Sequence, residues 1–513
     1  MTEKNIYQLL AKGEHVKLEC KTAQSSLPSS VWETYSAFAN TYGGTILLGV
    51  HEDTKEKDPK KRFSVTGVED AEKIKKDFWN IIHNAEKVSM NILRDECVET
   101  VDVDGKSVVA ISVPQAYYTM KPIYINNNLS RGSFRRNHEG DYHCSEQELR
   151  MMVRDANEEG NDHLFLQHYT MDDIDPTTLK HYRQMFLTKN PDHVFNNLDD
   201  KEFLKQLGGY TVNRETQEEG LTMAGLLMFG KGLPIRERFS NLRMDYIDKT
   251  NLIGEERYSD RITYDGTWEN NLFNFIRIVL PRLMKDLPRP FRMEGVTRVD
   301  DTPQHKAVRE AMTNAIIHAD LMLNGLLRVE KYDDRFVLTN PGLLKIPVEQ
   351  IYEGGETRAR NQVMQVMLRM IGYGENLGSG FPLILSAWNE KHWLKPELVE
   401  QPELLQVKLI LHIMNKEKET LGTKDGTKSG TKGGTKEKSG IKGGIKELTD
   451  RQKTILDLIK KDDTTTTTSL AQMANLPRRT LMRDIAQLQD WGILSREGGR
   501  KEGHWVINKQ END

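Results

Sequence analysis

Two polar residues four positions apart, Glu310 and Asn314, stand in the run Arg309-Glu310-Ala-Met-Thr-Asn314-Ala-Ile-Ile-His318-Ala-Asp320. On a helix that spacing puts a carboxylate and an amide on one face, while Ala311, Ala315 and Ile316 can turn inward. Further along, Gly378-Ser379-Gly380 offers backbone N–H groups that can approach phosphates closely. Cations gather towards both ends of the chain. Arg131, Arg135 and Arg136 are phosphate-sized cations in the same segment as Lys17 and Lys21. Arg478, Arg479, Thr480 and Arg483 open a predicted helix, and arginine both reads guanine edges and clamps phosphates. The chemistry implied is a grip on a polyanion at either end and a place for phosphate groups between. His138, His143 and Cys144 lie close together, yet no second metal-spaced pair accompanies them, so no zinc site is expected.

The elements that must position these residues follow from patterning. A helix over Val31–Tyr42 leads through Gly43-Gly44 into the buried-strand run Thr45–Val50. Strands are predicted at Val98–Val103, Ser107–Val113 and Ile123–Ile125, the first two joined by an Asp-Gly hairpin turn. Ser145-Glu-Gln-Glu reads as a capping box opening a helix through Asp155. A polar, mainly helical connector over 156–220 starts a helix at Pro176 and breaks at Pro191, and a second α/β unit covers 221–414. Trp388 and Trp393 are expected to pack in its core or rim. Residues 415–447 form a flexible linker whose stretch Gly422–Lys446 is a degenerate repeat of Gly, Thr or Ile, and Lys. After it, 448–513 reads as a helix carrying Ile455, Leu456, Leu458 and Ile459, a short helix from Ser469, and a third entered at Pro477 with Leu481, Ile485 and Leu488. A Gly-rich turn and a strand at His504–Ile507 complete the order of a winged helix-turn-helix. There Arg478, Arg479 and Arg483 would face the major groove, and Arg496, Arg500 and Lys501 would stand on the wing.

Composition narrows the class. The 513 residues are too many for one core, and about three to four domains is the prior for that length. With 37% hydrophobic, 7% aromatic and 29% charged residues, the chain is expected to be a soluble protein with real cores. No apolar run approaches the roughly 20 residues of a membrane helix, so no membrane partner is expected. The charged start lacks a signal-peptide core, and the three cysteines are too scattered for a disulfide framework, which together point to the cytoplasm. With 72 basic against 76 acidic residues the net charge is -4, so any nucleic-acid contact must come from local patches.

Three stretches carry family resemblances. Glu14, Glu19 and Lys21, then Ala37-Phe38-Ala39-Asn40, Gly43-Gly44, Gly49-Val50, Lys121-Pro122-Ile123-Tyr124 and Gly132-Ser133-Phe134-Arg135, resemble the Schlafen-type AlbA domain, a nucleic-acid-binding module, over residues 1–155. Some Schlafen relatives are metal-dependent ribonucleases. That likeness would make Glu14, Glu19 and either Glu52 or Asp53 carboxylate ligands of Mg²⁺ or Mn²⁺, with a metal-activated water cleaving RNA. The Glu310–Asp320 run resembles the N-box of GHKL ATPases in the divergent form found beside AlbA domains. The resemblance implies that Glu310 activates water and that Asn314 holds Mg²⁺. It places Thr339-Asn340-Pro341-Gly342 as the adenine-reading loop, and has Gly378, Ser379 and Gly380 take the phosphates. Arg358-Ala-Arg360-Asn361 stands between in the expected order. Thr339 replaces the aspartate usual in that loop, and Leu343 replaces a glycine, so the base pocket is altered.

The expected architecture is therefore multi-domain α/β: an α+β AlbA/Schlafen-like domain, a GHKL-like α/β sandwich over 221–414, and a C-terminal winged helix-turn-helix. The expected protein is a bacterial, nucleotide-responsive, DNA-binding transcriptional regulator that uses ATP and Mg²⁺ and forms a homo-oligomer. The alternative is a metal-dependent ribonuclease acting in stress or phage defence.

Overall fold

Val31 to Asn40 is buried on nearly every side, so the helix it forms must be enclosed by the elements that follow it. The computed structural model describes residues 1–513 except 12, 54, 57–61, 253, 255, 290–292, 295–296, 299–300, 375–379, 414–449, 464, 475–480, 482–484, 486–487, 489–493, 498–503 and 508–513. It divides into two compact units, Met1–Asp425 and Gly426–Asp513. Among the described residues no helix is long and apolar enough to cross a membrane.

The chain opens with α1 (Glu3–Leu10), β1 (Leu18–Lys21), α2 (Val31–Asn40), β2 (Gly44–Leu48), β3 (Val50–Glu52), β4 (Phe63–Val65), α3 (Ala71–Ile82), β5 (Val98–Val103) and β6 (Lys106–Val113). Then come β7 (Phe134–Asn137), β8 (Gly140–His143) and α4 (Glu146–Asp155). The sheet runs β1-β2-β6-β5, with β1 parallel to β2 and the other pairs antiparallel. Strand alternation serves both faces. Ile46, Leu48, Val109 and Ile111 pack with α2 and α3, while Leu47, Val101, Val103 and Val108 pack with α1. The expected Asp-Gly hairpin is present, with Asp104 and Gly105 both at positive φ. So is the capping box, in which Ser145 and Glu148 satisfy each other's backbone.

Two expectations change here. The run Thr45–Val50 breaks into β2 and β3, because Gly49 sits at φ +95° against the backbone of Gly67. Ile123–Ile125 makes only isolated bridges, Val88 to Ile125 and Tyr124 to Ser133. What holds it is the Asn40 side chain, which donates to the carbonyls of Ile123 (2.8 Å) and Phe134 (3.0 Å) and accepts from the Ile123 N–H at 2.8 Å. Ser36 adds bonds to the same two residues. Gly132 lies where any Cβ would collide with the Ile125 carbonyl, at 2.1 Å.

The rest of the first unit contains α5 (Pro176–Lys189), α6 (Asp200–Gln206), β9 (Tyr210–Val212), β10 (Glu219–Leu221), α7 (Met223–Phe229), α8 (Gly232–Arg238), β11 (Arg243–Asp248), β12 (Asp260–Ile262) and α9 (Leu272–Met284). It continues through β13 (Met293–Glu294), β14 (Thr297–Arg298), α10 (Pro303–Ile317), β15 (Leu326–Lys331), β16 (Arg335–Pro341), α11 (Val348–Glu353), α12 (Gln362–Met370), α13 (Gly380–Glu390), β17 (Glu397–Gln401) and β18 (Gln406–His412). Its large sheet is ordered β12-β11-β15-β16-β18-β17, antiparallel except for β11 against β15. The stretch 156–220 is no separate connector. Leu179, Tyr182, Phe186 and Phe203 share one core with Ile316, Leu327 and Trp388, and β10 runs across the expected boundary at Leu221. Trp388 and Trp393 are core residues, with the Trp388 indole N–H donating to the His412 carbonyl at 2.7 Å.

The second unit, described by itself, contains α14 (Asp450–Lys461), α15 (Thr467–Met473) and the antiparallel pair β19 (Leu494–Glu497) and β20 (His504–Ile507). Ile455, Ile459, Leu470, Leu481, Ile485, Leu488 and Trp505 form its core. The Trp505 indole N–H donates to the Thr465 carbonyl at 2.9 Å.

Because Asn40 ties three backbone groups that no strand ladder reaches, truncating it strands buried donors and acceptors. Asn40→Ala is expected to cost about 2–3 kcal/mol in urea-unfolding experiments, whereas Asn128→Ala at an exposed turn should cost well under half of that.

Candidate functional site: a cleft above the central sheet

α10 starts at a Thr302 cap with Pro303 in its first turn, and its buried stripe includes Val308, Ala311, Met312 and Ile316. This orientation turns Glu310 and Asn314 into a cleft of about 130 Å³. Glu310 is only 6% exposed. Its carboxylate lies over Gly380, where an added Cβ would come within 2.0 Å of Oε1 and 3.4 Å of the Asn314 amide nitrogen. Gly380 is therefore required at the start of α13 for the two side chains to keep their places.

The cleft floor comes from the sheet. Alternation along β16 turns Leu338 and Asn340 to the cleft, beside their β18 partners Leu409 and Val407. With Ile346, Ile351 and Leu398 they make an apolar slot whose floor carries the Asn340 amide, buried and bonded only loosely to the Pro341 carbonyl at 3.4 Å. Thr339 lies on the other face of the strand, buried between Arg328 and Lys408. The expected adenine loop is thus mostly strand, and Asn340, not Thr339, faces the cleft.

Gly342 departs from its expected role. It does not line the cleft; at φ +99° it makes room for the Arg360 guanidinium, which a Cβ would approach to 3.1 Å. Gly378 and Ser379 lie outside the described residues.

Arg360 closes the far end of the cleft. It is buried, donates twice to Asp155 (2.7 Å each), and reaches the carbonyls of His318 (2.7 Å) and Leu343 (2.6 Å). Its neighbour Asn361 donates to the carbonyls of Ile316 (2.8 Å) and Ala319 (2.9 Å), and both backbone N–H groups donate to Ile317. The Arg-Asn pair thereby caps the C-terminal carbonyls of α10, which have no partner within the helix. Asp155 belongs to α4, and Arg154 beside it pairs with Asp320 at 2.5 Å, so the N-terminal module supplies the counter-charges. Burial, with the Arg360 and Lys345 charges nearby, pushes the His318 imidazolium down to about 4, so this residue stays neutral. The sequence order contained Arg358-Ala-Arg360-Asn361 without a role; its partners 205 residues away in α4 carried no local signal.

At the N-terminal module the expected phosphate-binding cations divide. Lys17 and Arg131 are exposed. Arg136 is 3% exposed and spent internally: it pairs with Glu19 (2.8 Å) and Asp141 (2.9 Å) and donates to the Leu18 carbonyl, so it cannot grip a phosphate from this position. Lys21 pairs with Glu19 and Arg135 with Glu148, both half-buried. Arg478, Arg479, Arg483 and Arg500 lie outside the described residues.

The nuclease set is likewise altered. Glu14 feels Glu19 and Glu52, whereas Asp53 turns to cap the Lys55 N–H. Glu19 is held by Arg136 and Lys21, and Glu52 by Arg62. Among the described residues no three His, Cys, Asp or Glu gather closely enough to hold a metal ion. Glu19 and Glu52 are already neutralised by fixed cations, and this set does not fit a dication.

Removing Asp155 would leave the Arg360 charge buried and unpaired, so Asp155→Ala is expected to cost about 3–5 kcal/mol in chemical denaturation. Burial and the neighbouring Glu19 charge push the Glu14 carboxyl up to about 7, from 4.5 in the unfolded chain. The folded state therefore keeps a proton that the unfolded state loses, and stability from this group is full below 4.5 and drains away as pH rises through about 7. Glu14→Gln cannot ionise, so the difference in unfolding temperature, variant minus wild type, should grow in the variant's favour from about pH 4 to about pH 8. A flat difference would contradict this.

Three stretches of the chain match known domain families. Residues 14–145 match the family "Schlafen, AlbA_2", and residues 326–409 match "Putative ATP-dependent DNA helicase recG C-terminal". Residues 150–245 match a domain of unknown function (DUF8451). No curated protein matches the chain. Among solved structures, the DIP2311 protein from Corynebacterium diphtheriae is 16% identical, covering 96% of this chain and 95% of that one, with a TM-score of 0.37. The N-terminal domain of a RecG-related protein from Nitrosomonas europaea, described as a putative ATP-dependent DNA helicase, is 26% identical. It covers 28% of this chain and 94% of that one, with a TM-score of 0.23. At these scores neither likeness bears on the fold. The chain carries a Schlafen AlbA_2 domain followed by a RecG-C-terminal-like domain, an arrangement consistent with a GHKL-like second module.

Proposed function

We propose that this protein is a nucleotide-responsive regulator that binds nucleic acid, with DNA as its target. The observation that carries the reading is the cleft in which Glu310, Asn314 and Asn340 meet over an apolar slot. A flat purine suits the slot, and the Asn340 amide offers an acceptor and a donor side by side to its edge. Glu310 and Asn314 fit a Mg²⁺–triphosphate: Asn314 would hold the ion and Glu310 would orient water, with Gly380 leaving the space beside them. The ion supplies charge neutralisation and Lewis acidity to the phosphates when bound. The Schlafen AlbA_2 match supports a nucleic-acid role for the N-terminal module, where Lys17 and Arg131 remain free to meet a backbone. The helix order and hairpin of the second unit are compatible with a winged helix-turn-helix, whose Arg478, Arg479, Arg483 and Arg500 would contact duplex DNA.

The test combines two measurements on the full chain. ATP with Mg²⁺ at about 100 times its dissociation constant should stabilise the wild type by about 2.7 kcal/mol in thermal unfolding, and Asn314→Ala should lose most of that gain. Duplex DNA should bind in a salt-sensitive manner and weaken for Arg478→Ala with Arg479→Ala. Absence of any nucleotide effect would overturn the reading. Mn²⁺-dependent cleavage of tRNA that disappears in Glu19→Ala would favour the ribonuclease instead.

A further inference from the structure

Two cations at the mouth of the cleft are held by aromatic residues of the other module. The Lys345 ammonium stands 4.2 Å from the centroid of the Tyr118 ring, and among the described residues no carboxylate lies within ion-pair distance of it. Arg358 donates from Nε to the Tyr117 hydroxyl at 2.9 Å, with Glu356 at 3.6 Å as its nearest counter-charge. Tyr117 and Tyr118 pack against each other, ring centroids 4.6 Å apart, in the loop after β6. Both cations line the nucleotide cleft, and both also line an outer cavity of about 360 Å³ that includes Gln362 and Gln365. Lys345 and Arg358 thus stand where the two spaces meet.

The charges around them leave an unfilled demand. Asp155, the carboxylate nearest to Lys345 in effect, is already committed to Arg360. Glu158 and Glu356 also face this region, both exposed. Burial pushes the Lys345 ammonium down to about 8, and the Arg360 and Arg358 charges add to the shift. A cation resting on a ring face, and a guanidinium on a neutral hydroxyl, hold weaker contacts than either would make with a phosphate oxygen.

We propose that Lys345 and Arg358 form the subsite for the phosphate end of the ligand in the cleft, and that Tyr117 and Tyr118 hold the two cations until a phosphate takes them. This rests on the nucleotide reading of the cleft and deepens it. The base slot would be read by the module of α10 and β16 alone, but the ligand's negative charge would be read by that module and the N-terminal one. Phosphate binding would release two contacts to the N-terminal module while the Arg360–Asp155 pair persists. The charge of the ligand, more than its base, is then what the N-terminal module senses.

Titration calorimetry with adenosine, ADP and ATP, each with Mg²⁺, separates the outcomes. Wild type should bind ATP more tightly than adenosine. Lys345→Met and Arg358→Gln should each lose about tenfold of that advantage with adenosine affinity unchanged, and Lys345→Arg should keep it. Tyr117→Phe frees Arg358 from its resting partner and should tighten ATP by about threefold without affecting adenosine. If ATP binds and Lys345→Met and Arg358→Gln retain the full advantage, the subsite is wrong while the cleft reading stands. If Tyr117→Phe leaves ATP affinity unchanged, the hand-over is wrong. If wild type binds neither adenosine nor ATP, the cleft reading fails and takes the subsite with it.

Discussion

Most of the first unit's organisation depends on where one guanidinium is buried. Arg360 donates to the carbonyl of His318 at the end of α10 and to that of Leu343 just past β16, while its Nε and Nη2 also face Asp155 of the N-terminal module. A buried ion pair of this kind adds little net stability over an apolar pair of the same shape, because desolvation offsets attraction. What it does contribute is uniqueness. A guanidinium accepts no arrangement that leaves its donors unmet, so α4, α10 and the strand end at Gly342 must keep their relative places. Gly342 and Gly160 record the same constraint, since a side chain at either would press on Arg360.

That constraint has a functional consequence. Both walls of the cleft touch the N-terminal module, one through Arg358 and Arg360 and the other through Lys345. Whatever fills the cleft therefore bears on residues that the N-terminal module also holds, with no long relay needed. The contacts differ in strength. The Asp155 pair is buried and bidentate, whereas each tyrosine contact is single. A fixed pivot beside releasable contacts is a geometry in which a ligand can alter how two modules bear on each other without separating them.

The charge of the N-terminal module also reads differently once folded. Arg136 looks like one of a cluster of phosphate-binding arginines, yet it lies against the Phe38 ring and neutralises Glu19 and Asp141 inside the domain. Its work is to let the carboxylates of Glu19 and Asp141 be largely buried inside the domain. Glu14, without such a partner, responds by holding its proton to higher pH.

Local signals were sufficient wherever a feature is made by neighbours in the chain. The Ser145 capping box, the Asp104-Gly105 hairpin, the Pro176 helix start, and the shared face of Glu310 and Asn314 were all legible from residue type and spacing. These interactions close within a few residues, so composition alone selects them. Tertiary structure alone decided which face of β16 meets the cleft, why Gly342 must be glycine, which of the clustered arginines stay free, and how Asn40 substitutes for a strand ladder. Each of those depends on partners tens to hundreds of residues away. Burial makes every polar group there find a mate, and no local pattern in the chain names which one it will be.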